Sequence, residues 1–401
     1  MPPASWPLRV GLTLLTTIAL GGLAVTPAEA AGSGTASVSG STVVQYKAAG
    51  GKQNKVVVTR SGRTVTIDDR VAVKAGKGCK KVKGDKTRVK CTTKKTPTRV
   101  RVYTYDRNDS IVNNTDVRMT ADGGTAADRI TGGSRGDRLY GGNGNDTVWG
   151  RGGNDTIDGQ TGNDVVHAGD GDDTVEDAAG KSSGNDKLYG DNGSDRLVAL
   201  VGNDKLYGGA GSDLLWGGPG RDRLEGGSGD DVLQGDECSQ GSSVAKCVSA
   251  DVLLGGPGTD LADYSESVKA ITVDLDGASG DDGQPGEHDT VGSDVENLTG
   301  GLGNDHLTGN KAANQITGLT GTDTIRGGAG NDSLYGMDLW DVSLGAAKDG
   351  HDTLYGEAGD DQLYGLDDER NISDRLDGGP NGPAGDQCQA RKYDTRVNCE
   401  H

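Results

Sequence analysis

The stretch GGNGNDTVWGRGGNDTIDG, residues 141–159, places Asp146 and Asp155 nine residues apart, each closing a glycine-rich run and each followed two positions later by Val148 or Ile157. Asp recurs at the same spacing at Asp128, Asp137, Asp146, Asp155, Asp164 and Asp173, and again at Asp186, Asp195, Asp204, Asp213, Asp222 and Asp231. Further copies are Asp251, Asp260, Asp305, Asp323, Asp332, Asp352, Asp361 and Asp374, and Asp109 with Ile111 reads as a degenerate first copy. Carboxylates repeated beside flexible turns, whose carbonyls turn inward, make an all-oxygen donor set. That is the chemistry of a hard cation.

The elements that must position these carboxylates follow from one unit, Gly141 to Trp149. Its glycines permit positive φ and close backbone approach, so the first six residues form a tight turn, and the last three form a short strand with Val148 facing inward. One aliphatic side chain per unit is a thin core, too little to offset an ordering cost of about 1 kcal/mol or more per residue. If two units complete one coil, Asp146 stacks over Asp164 in the next layer, and parallel layers lie about 4.8 Å apart. Two bare carboxylates at that separation repel by roughly 3 to 4 kcal/mol at an effective dielectric of 20. A Ca²⁺ ion with oxygen ligands at about 2.4 Å would bridge the layers; Mg²⁺, at about 2.1 Å and strictly octahedral, fits less well. A strict period over this many copies is the signature of a solenoid.

GGNGNDTVW (141–149), GGAGSDLLW (208–216), GGSGDDVLQ (226–234) and GGAGNDSLY (327–335) resemble the RTX, or haemolysin-type, calcium-binding repeat GGxGxDxUx, a motif already set down among known repeat signatures. The resemblance spans about residues 106–377 and implies a parallel β-roll whose turns hold multiple Ca²⁺ ions. The implied metal ligands are Asp137, Asp146, Asp155, Asp164, Asp173, Asp186, Asp195, Asp213, Asp222, Asp231, Asp251, Asp260, Asp305, Asp323, Asp332, Asp352 and Asp361, with backbone carbonyls of Gly141, Gly208, Gly217, Gly226 and Gly327. Three copies depart from the pattern. Asn314 replaces the Asp, Ala199-Leu200 replace the paired glycines before Asp204, and Ala126 replaces a Gly before Asp128, so binding is expected to be weak or absent there.

The remaining sequence fits an exported all-β protein. The chain has 401 residues, 70 of them Gly and none Phe, and only 32% hydrophobic residues, poor material for one large core. Residues 40–105 carry 18 Lys/Arg against 3 Asp/Glu, whereas residues 106–401 carry 22 against 56, a polyanion that repels itself unless a cation binds it. Arg9, the apolar run from Val10 to Val25 and Ala28-Glu29-Ala30 are laid out as a signal peptide cleaved after Ala30, leaving no membrane span in the secreted, extracellular product. Cys79 with Cys91, Cys238 with Cys247 and Cys388 with Cys399 are expected as local disulfides.

The expected organisation is a signal peptide (1–30), a small basic β-rich capping domain (31–105), a first β-roll array (106–260), a β insertion containing ITVDLDG (261–299), a second array (300–377) and a disulfide-stapled C-terminal cap (378–401). The Asp spacing lengthens to 13 residues at 173–186 and 361–374, and to 20 at 231–251 and 332–352, as loops leaving one turn would do. Tyr140, Tyr189, Tyr207, Tyr335, Tyr355, Tyr364, Trp149 and Trp216 end their units and either shield the roll or form a carbohydrate-binding stripe. Gly132-x-Ser134-x-Gly136 matches a hydrolase elbow but lies in register with the repeats, Gly180-Lys181-Ser182 lacks the rest of a P-loop, and the five His show no zinc spacing. The expectation is a monomeric calcium-binding protein that is not an enzyme and does not bind nucleic acid. The alternatives are a cell-surface or wall-associated adhesive or structural protein stiffened by calcium, with the basic stretch 74–101 holding anionic cell-wall polymers or the acidic array itself, and, more remotely, a cryptic hydrolase.

Overall fold

A computed structural model describes residues 32–177, 184–236, 249–337, 350–365, 373–380, 385–390 and 393–400. The expected signal peptide, the Cys238–Cys247 pair and Lys181-Ser182 lie outside the described residues. Among the described residues every regular element is a strand, and no helix is long and apolar enough to cross a membrane.

The nine-residue period sets the architecture. Strand Thr147–Gly152 pairs in parallel with Val165–Asp170, putting Val148 opposite Val166, while Arg138–Asn143 pairs with Thr156–Thr161, putting Leu139 opposite Ile157. Consecutive strands therefore enter different sheets, and each pairs with the next but one. Two units make one coil of a parallel β-roll, and the coil repeats every 18 residues. Where the spacing lengthens, the ladder resumes in register: Val166 faces Leu188 and Leu224 faces Leu253, across coils of 22 and 29 residues. Extra residues are thus accommodated in loops without moving the stacked positions, because register is fixed by inter-strand hydrogen bonds and by the inward aliphatic.

One sheet runs through the whole roll, from Arg99–Tyr103 to Gln387–Ala390. The opposite wall changes midway. A 13-stranded sheet ends at Thr290–Val291, and a 6-stranded sheet begins with Thr272–Asp274, the strand expected within ITVDLDG. Between them the shared sheet is unbroken, since Leu261–Asp263 pairs with Asn297–Thr299. At the N-terminus, Val43–Lys47 and Lys55–Ser61 pair in parallel with Arg99–Tyr103 and Ser110–Asn114, so the basic segment supplies the first layer under the coils. Its other pairings are antiparallel except that of Val73–Ala75, which runs parallel to Gly34–Ser39; the Cys79–Cys91 disulfide joins directly opposed residues of one hairpin, and Cys388–Cys399 is also bonded.

The interior is a single file of aliphatics. Val148, Ile157, Val166, Leu206, Leu215 and Leu224 are fully buried, and the file continues into Val100, Val102 and Ile111. The unit-ending aromatics stack along the outside: Tyr189 on Tyr207 at 4.8 Å and Tyr335 on Tyr364 at 4.6 Å, with His167 on Tyr189 at 4.4 Å. Each ring covers the face of the next, the offset contact that aromatic pairs favour.

Candidate metal centre

The turns carry the chemistry, and their shape follows from glycine. A Cβ on Gly162, whose φ is +129°, would lie 1.9 Å from the Gly144 carbonyl oxygen of the layer before, so that position admits no side chain. The second position is left-handed even without glycine, at Arg151, Gln160, Asp191, Leu319 and Glu357. Leu200 (φ +66°) and Ala126 (φ +80°) keep the same turn, at a cost of about 1–2 kcal/mol each. The turns before Asp204 and Asp128 are thus kept, and both carboxylates are buried like the rest.

The sixth-position Asp side chains form ladders between layers. One oxygen of each accepts the backbone N–H of the stacked residue one coil earlier. Asp128 N–H donates to Asp146 Oδ1 at 2.7 Å, Asp146 N–H to Asp164 at 2.6 Å, and Asp137 N–H to Asp155 at 2.6 Å. The same bond links Asp155 to Asp173, Asp173 to Asp195, Asp164 to Asp186, Asp195 to Asp213, Asp213 to Asp231, Asp222 to Asp251 and Asp231 to Asp260. In the second half it links Asp305 to Asp323, Asp323 to Asp352 and Asp332 to Asp361.

The ladders also hold residues that the spacing did not reveal. Asp289 accepts from Asp251 N–H at 2.9 Å, and Asp386 accepts from Asp361 N–H at 2.9 Å. Their surviving signal is an Asp followed at +2 by a buried residue, Val291 or Cys388. Glu296 accepts from Asp260 N–H and stands in for an Asp. A second ladder runs along the fifth positions, where Asn163 N–H meets Asn145 Oδ1, Asn185 N–H meets Asn163 and Asn203 N–H meets Asn185.

The other carboxylate oxygen gives the site its character. Oδ2 of Asp128, Asp146, Asp155, Asp164, Asp173, Asp195, Asp204, Asp213, Asp222, Asp231, Asp251, Asp260, Asp323, Asp332 and Asp361 is buried and meets no hydrogen-bond donor. Such an orphaned buried acceptor is costly unless a cation or proton completes it. All but Asp173 and Asp204, whose units begin with Ala168 and Ala199, point into the space left by the first-position glycine of their own unit. A Cβ on Gly208 would lie 2.3 Å from Asp213 Oδ2 and 2.4 Å from the Gly226 carbonyl oxygen. On Gly141 it would meet Asp146 Oδ2 at 2.5 Å and Gly159 O at 2.7 Å, and on Gly327 Asp332 Oδ2 at 2.3 Å and Gly356 O at 2.7 Å. The carbonyls of Gly141, Gly208, Gly226 and Gly327 themselves face this space beside Asp128, Asp195, Asp213 and Asn314; for Gly217 and Gly226 as hosts, the near groups are the carboxylates of Asp222 and Asp231.

Two of the expected ligands differ. Asp137 Oδ2 accepts from Gly133 N–H and Asp305 Oδ2 from Gly301 N–H, both at 2.7 Å, so their second oxygens are already satisfied. Asn314 turns its amide nitrogen to the Glu296 carbonyl at 2.6 Å, offering one carbonyl oxygen where an Asp offers a carboxylate.

Electrostatics agrees with the orphaned oxygens. Burial, reinforced by neighbouring carboxylates and relieved in part by the ladder N–H, pushes Asp155 and Asp164 up to about 8 and Asp195 and Asp323 up to about 7. Asp251, buried and close to Asp236, Asp289 and Asp222, is pushed up to about 10. Without a cation these stacks hold carboxyl groups that resist ionising at neutral pH. The donor set is carboxylate and carbonyl oxygen, without nitrogen or sulfur, and it suits calcium. When bound, the ion would be held by the sixth-position carboxylates and the glycine carbonyls, and would supply the positive charge that the stacked acids lack.

Roll and turns together define a calcium-binding parallel β-roll solenoid. The RTX calcium-binding nonapeptide repeat family matches residues 122–157, 149–176, 182–206, 199–233, 290–324, 317–338 and 346–369. The chain is an RTX-type repeat protein. No curated protein matches it.

Ser134 of the elbow-like motif lines a cleft of about 710 Å³ with Arg60, Asn113, Asp116, Arg151 and Asp170, and no histidine lines it.

Proposed function

We propose that this chain is an exported protein without catalytic activity, whose role is to take up many Ca²⁺ ions outside the cell and to fold as it does so. The observation that carries this reading is the repeated buried Oδ2 without a donor, facing a glycine carbonyl of the next coil. Extracellular calcium modules bind with Kd values around 10⁻⁴ to 10⁻³ M, so the array stays empty at the low calcium of a cytoplasm and fills at millimolar calcium. At tenfold excess each independent site adds about 1.4 kcal/mol, and a dozen sites would carry most of a domain's stability. Folding and metal uptake are then one event. Far-UV circular dichroism in EDTA and then CaCl₂ tests this. The strand signal is expected to be small in chelator and to rise cooperatively with calcium; a signal indifferent to chelation would overturn the proposal.

A second reading, retention on anionic wall polymers, is favoured by one feature. Arg118 stacks on Arg99 in the parallel ladder, and Arg101 and Arg138 flank the same Thr120, gathering four guanidinium groups where the roll begins. Burial and the other three arginines hold Arg99 below its ordinary range. Retention of the full chain on teichoic-type polyphosphate, lost in Arg118→Ser/Arg138→Ser at moderate salt, would support this reading; equal retention of the variant would dismiss it.

A further inference from the structure

One turn carries a carboxyl group at its first position. The first position of each unit is nearly always glycine, because Oδ2 of the Asp five places on occupies the space a side chain would need; at Gly159, one coil earlier, that oxygen lies 2.5 Å from a would-be Cβ. In the unit that follows Asp173 this position is Asp177, and the sixth-position partner is Asp186. The backbone stays in the ladder, with Asp177 N–H donating to the Val198 carbonyl at 3.0 Å. The turn therefore holds two carboxyl groups where its neighbours hold one.

These two groups are in contact and shut off from water. Asp177, Asp186 and Asp164 one coil below are each 1% exposed. Neither oxygen of Asp177 meets a donor, and the polar group it touches is the Asp186 carboxyl. The charges acting most strongly on Asp177 are those of Asp186, Asp164 and Asp158, all anionic. A buried carboxylate pair without a counter-charge is strongly unfavourable, and a divalent ion balances such a pair.

We propose that Asp177 and Asp186 jointly form a divalent-cation site distinct from the single-carboxylate turns, one that binds Ca²⁺ more tightly than they do and fills first. The inference rests on calcium uptake by the array as proposed above. Ligand charge count shifts calcium affinity over decades, so one added carboxylate is expected to be worth at least about tenfold. A site filled before the rest would order the coil around it and give neighbouring layers an edge to grow from.

Calcium titration of the full chain by competition with a chromophoric chelator tests the proposal, using wild type, Asp177→Gly and Asp177→Asn. Asp177→Gly restores the residue found at this position elsewhere, so it keeps the turn. Wild type is expected to show one step at least tenfold tighter than the others; both variants are expected to lose that step while reaching the same strand signal at saturating calcium. An unchanged tight step in Asp177→Gly would overturn the assignment, as would a uniform set of affinities in wild type, the result expected if the pair shares a proton instead. No calcium uptake by wild type at all would instead refute the broader reading on which the assignment depends.

Discussion

Replacing Asp213 by Asn separates the two jobs that a ladder carboxylate performs. Asn keeps an oxygen to accept the Asp195 N–H, now 2.8 Å from Oδ1, but deletes the charge on the orphaned Oδ2. Burial pushes Asp213 up to about 6, against about 3.9 in an unfolded chain. At pH 8 the ionised group therefore costs the calcium-free fold about 3 kcal/mol, which Asn removes. With calcium the variant forfeits one site, about 1.4 kcal/mol at tenfold excess. Asp213→Asn should thus be more stable than wild type by about 3 kcal/mol in EDTA and by about 1.6 kcal/mol at tenfold calcium excess. The order should reverse once calcium exceeds the site's Kd by more than about 150-fold. Urea unfolding followed by circular dichroism across a calcium series, with sucrose to hold the metal-free fold in range, measures these differences. A variant offset that does not change with calcium, or destabilisation in EDTA, would refute the reasoning.

Acid should rescue the calcium-free roll. Asp155 and Asp164 titrate near 8 when folded and near 3.8 when unfolded, so the folded state binds more protons between those values and its stability falls as pH rises through that window. Circular dichroism in EDTA should show strand signal growing from pH 8 towards pH 4, the opposite of ordinary acid denaturation. Gly150→Ala should cost about 1–3 kcal/mol in calcium, because its Cβ would lie 2.2 Å from both Asp155 Oδ2 and the Ala168 carbonyl. Gly152→Ala, whose nearest neighbour would be 3.7 Å away, should be tolerated, and urea midpoints compare the two. Asp137→Asn should reduce calcium stoichiometry less than Asp146→Asn, since Asp137 Oδ2 already holds Gly133 N–H; calorimetric titration counts the difference.

Much of this molecule is written in its nine-residue period. The recurrence of Asp with an aliphatic at +2 gives the coil of two units, the stacking of Asp146 on Asp164 and the inward file of Val148 and Val166, because each depends on spacing alone. Asp289 and Asp386 escape the spacing because neither stands nine residues from another ladder Asp, while the ladder asks only for a backbone N–H on one side and a carboxylate on the other. Before Asp204 and Asp128 the folded roll holds Leu200 and Ala126 left-handed, a local strain that the ladder bonds to the two carboxylates outweigh and that the repeat pattern alone does not show. The satisfied second oxygen of Asp137 depends on the fold of the Gly133 turn, and the contact of Asp177 with Asp186 spans a lengthened spacing; neither is a matter of motif.

The claim that calcium joins the layers is tested most directly by an anomalous difference map from crystals of the full chain grown in calcium. Peaks are expected in the turns, beside Oδ2 of Asp146, Asp155, Asp195 and Asp213, and weaker or missing at Asn314. A well-ordered roll with no peak along either Asp ladder would contradict the account.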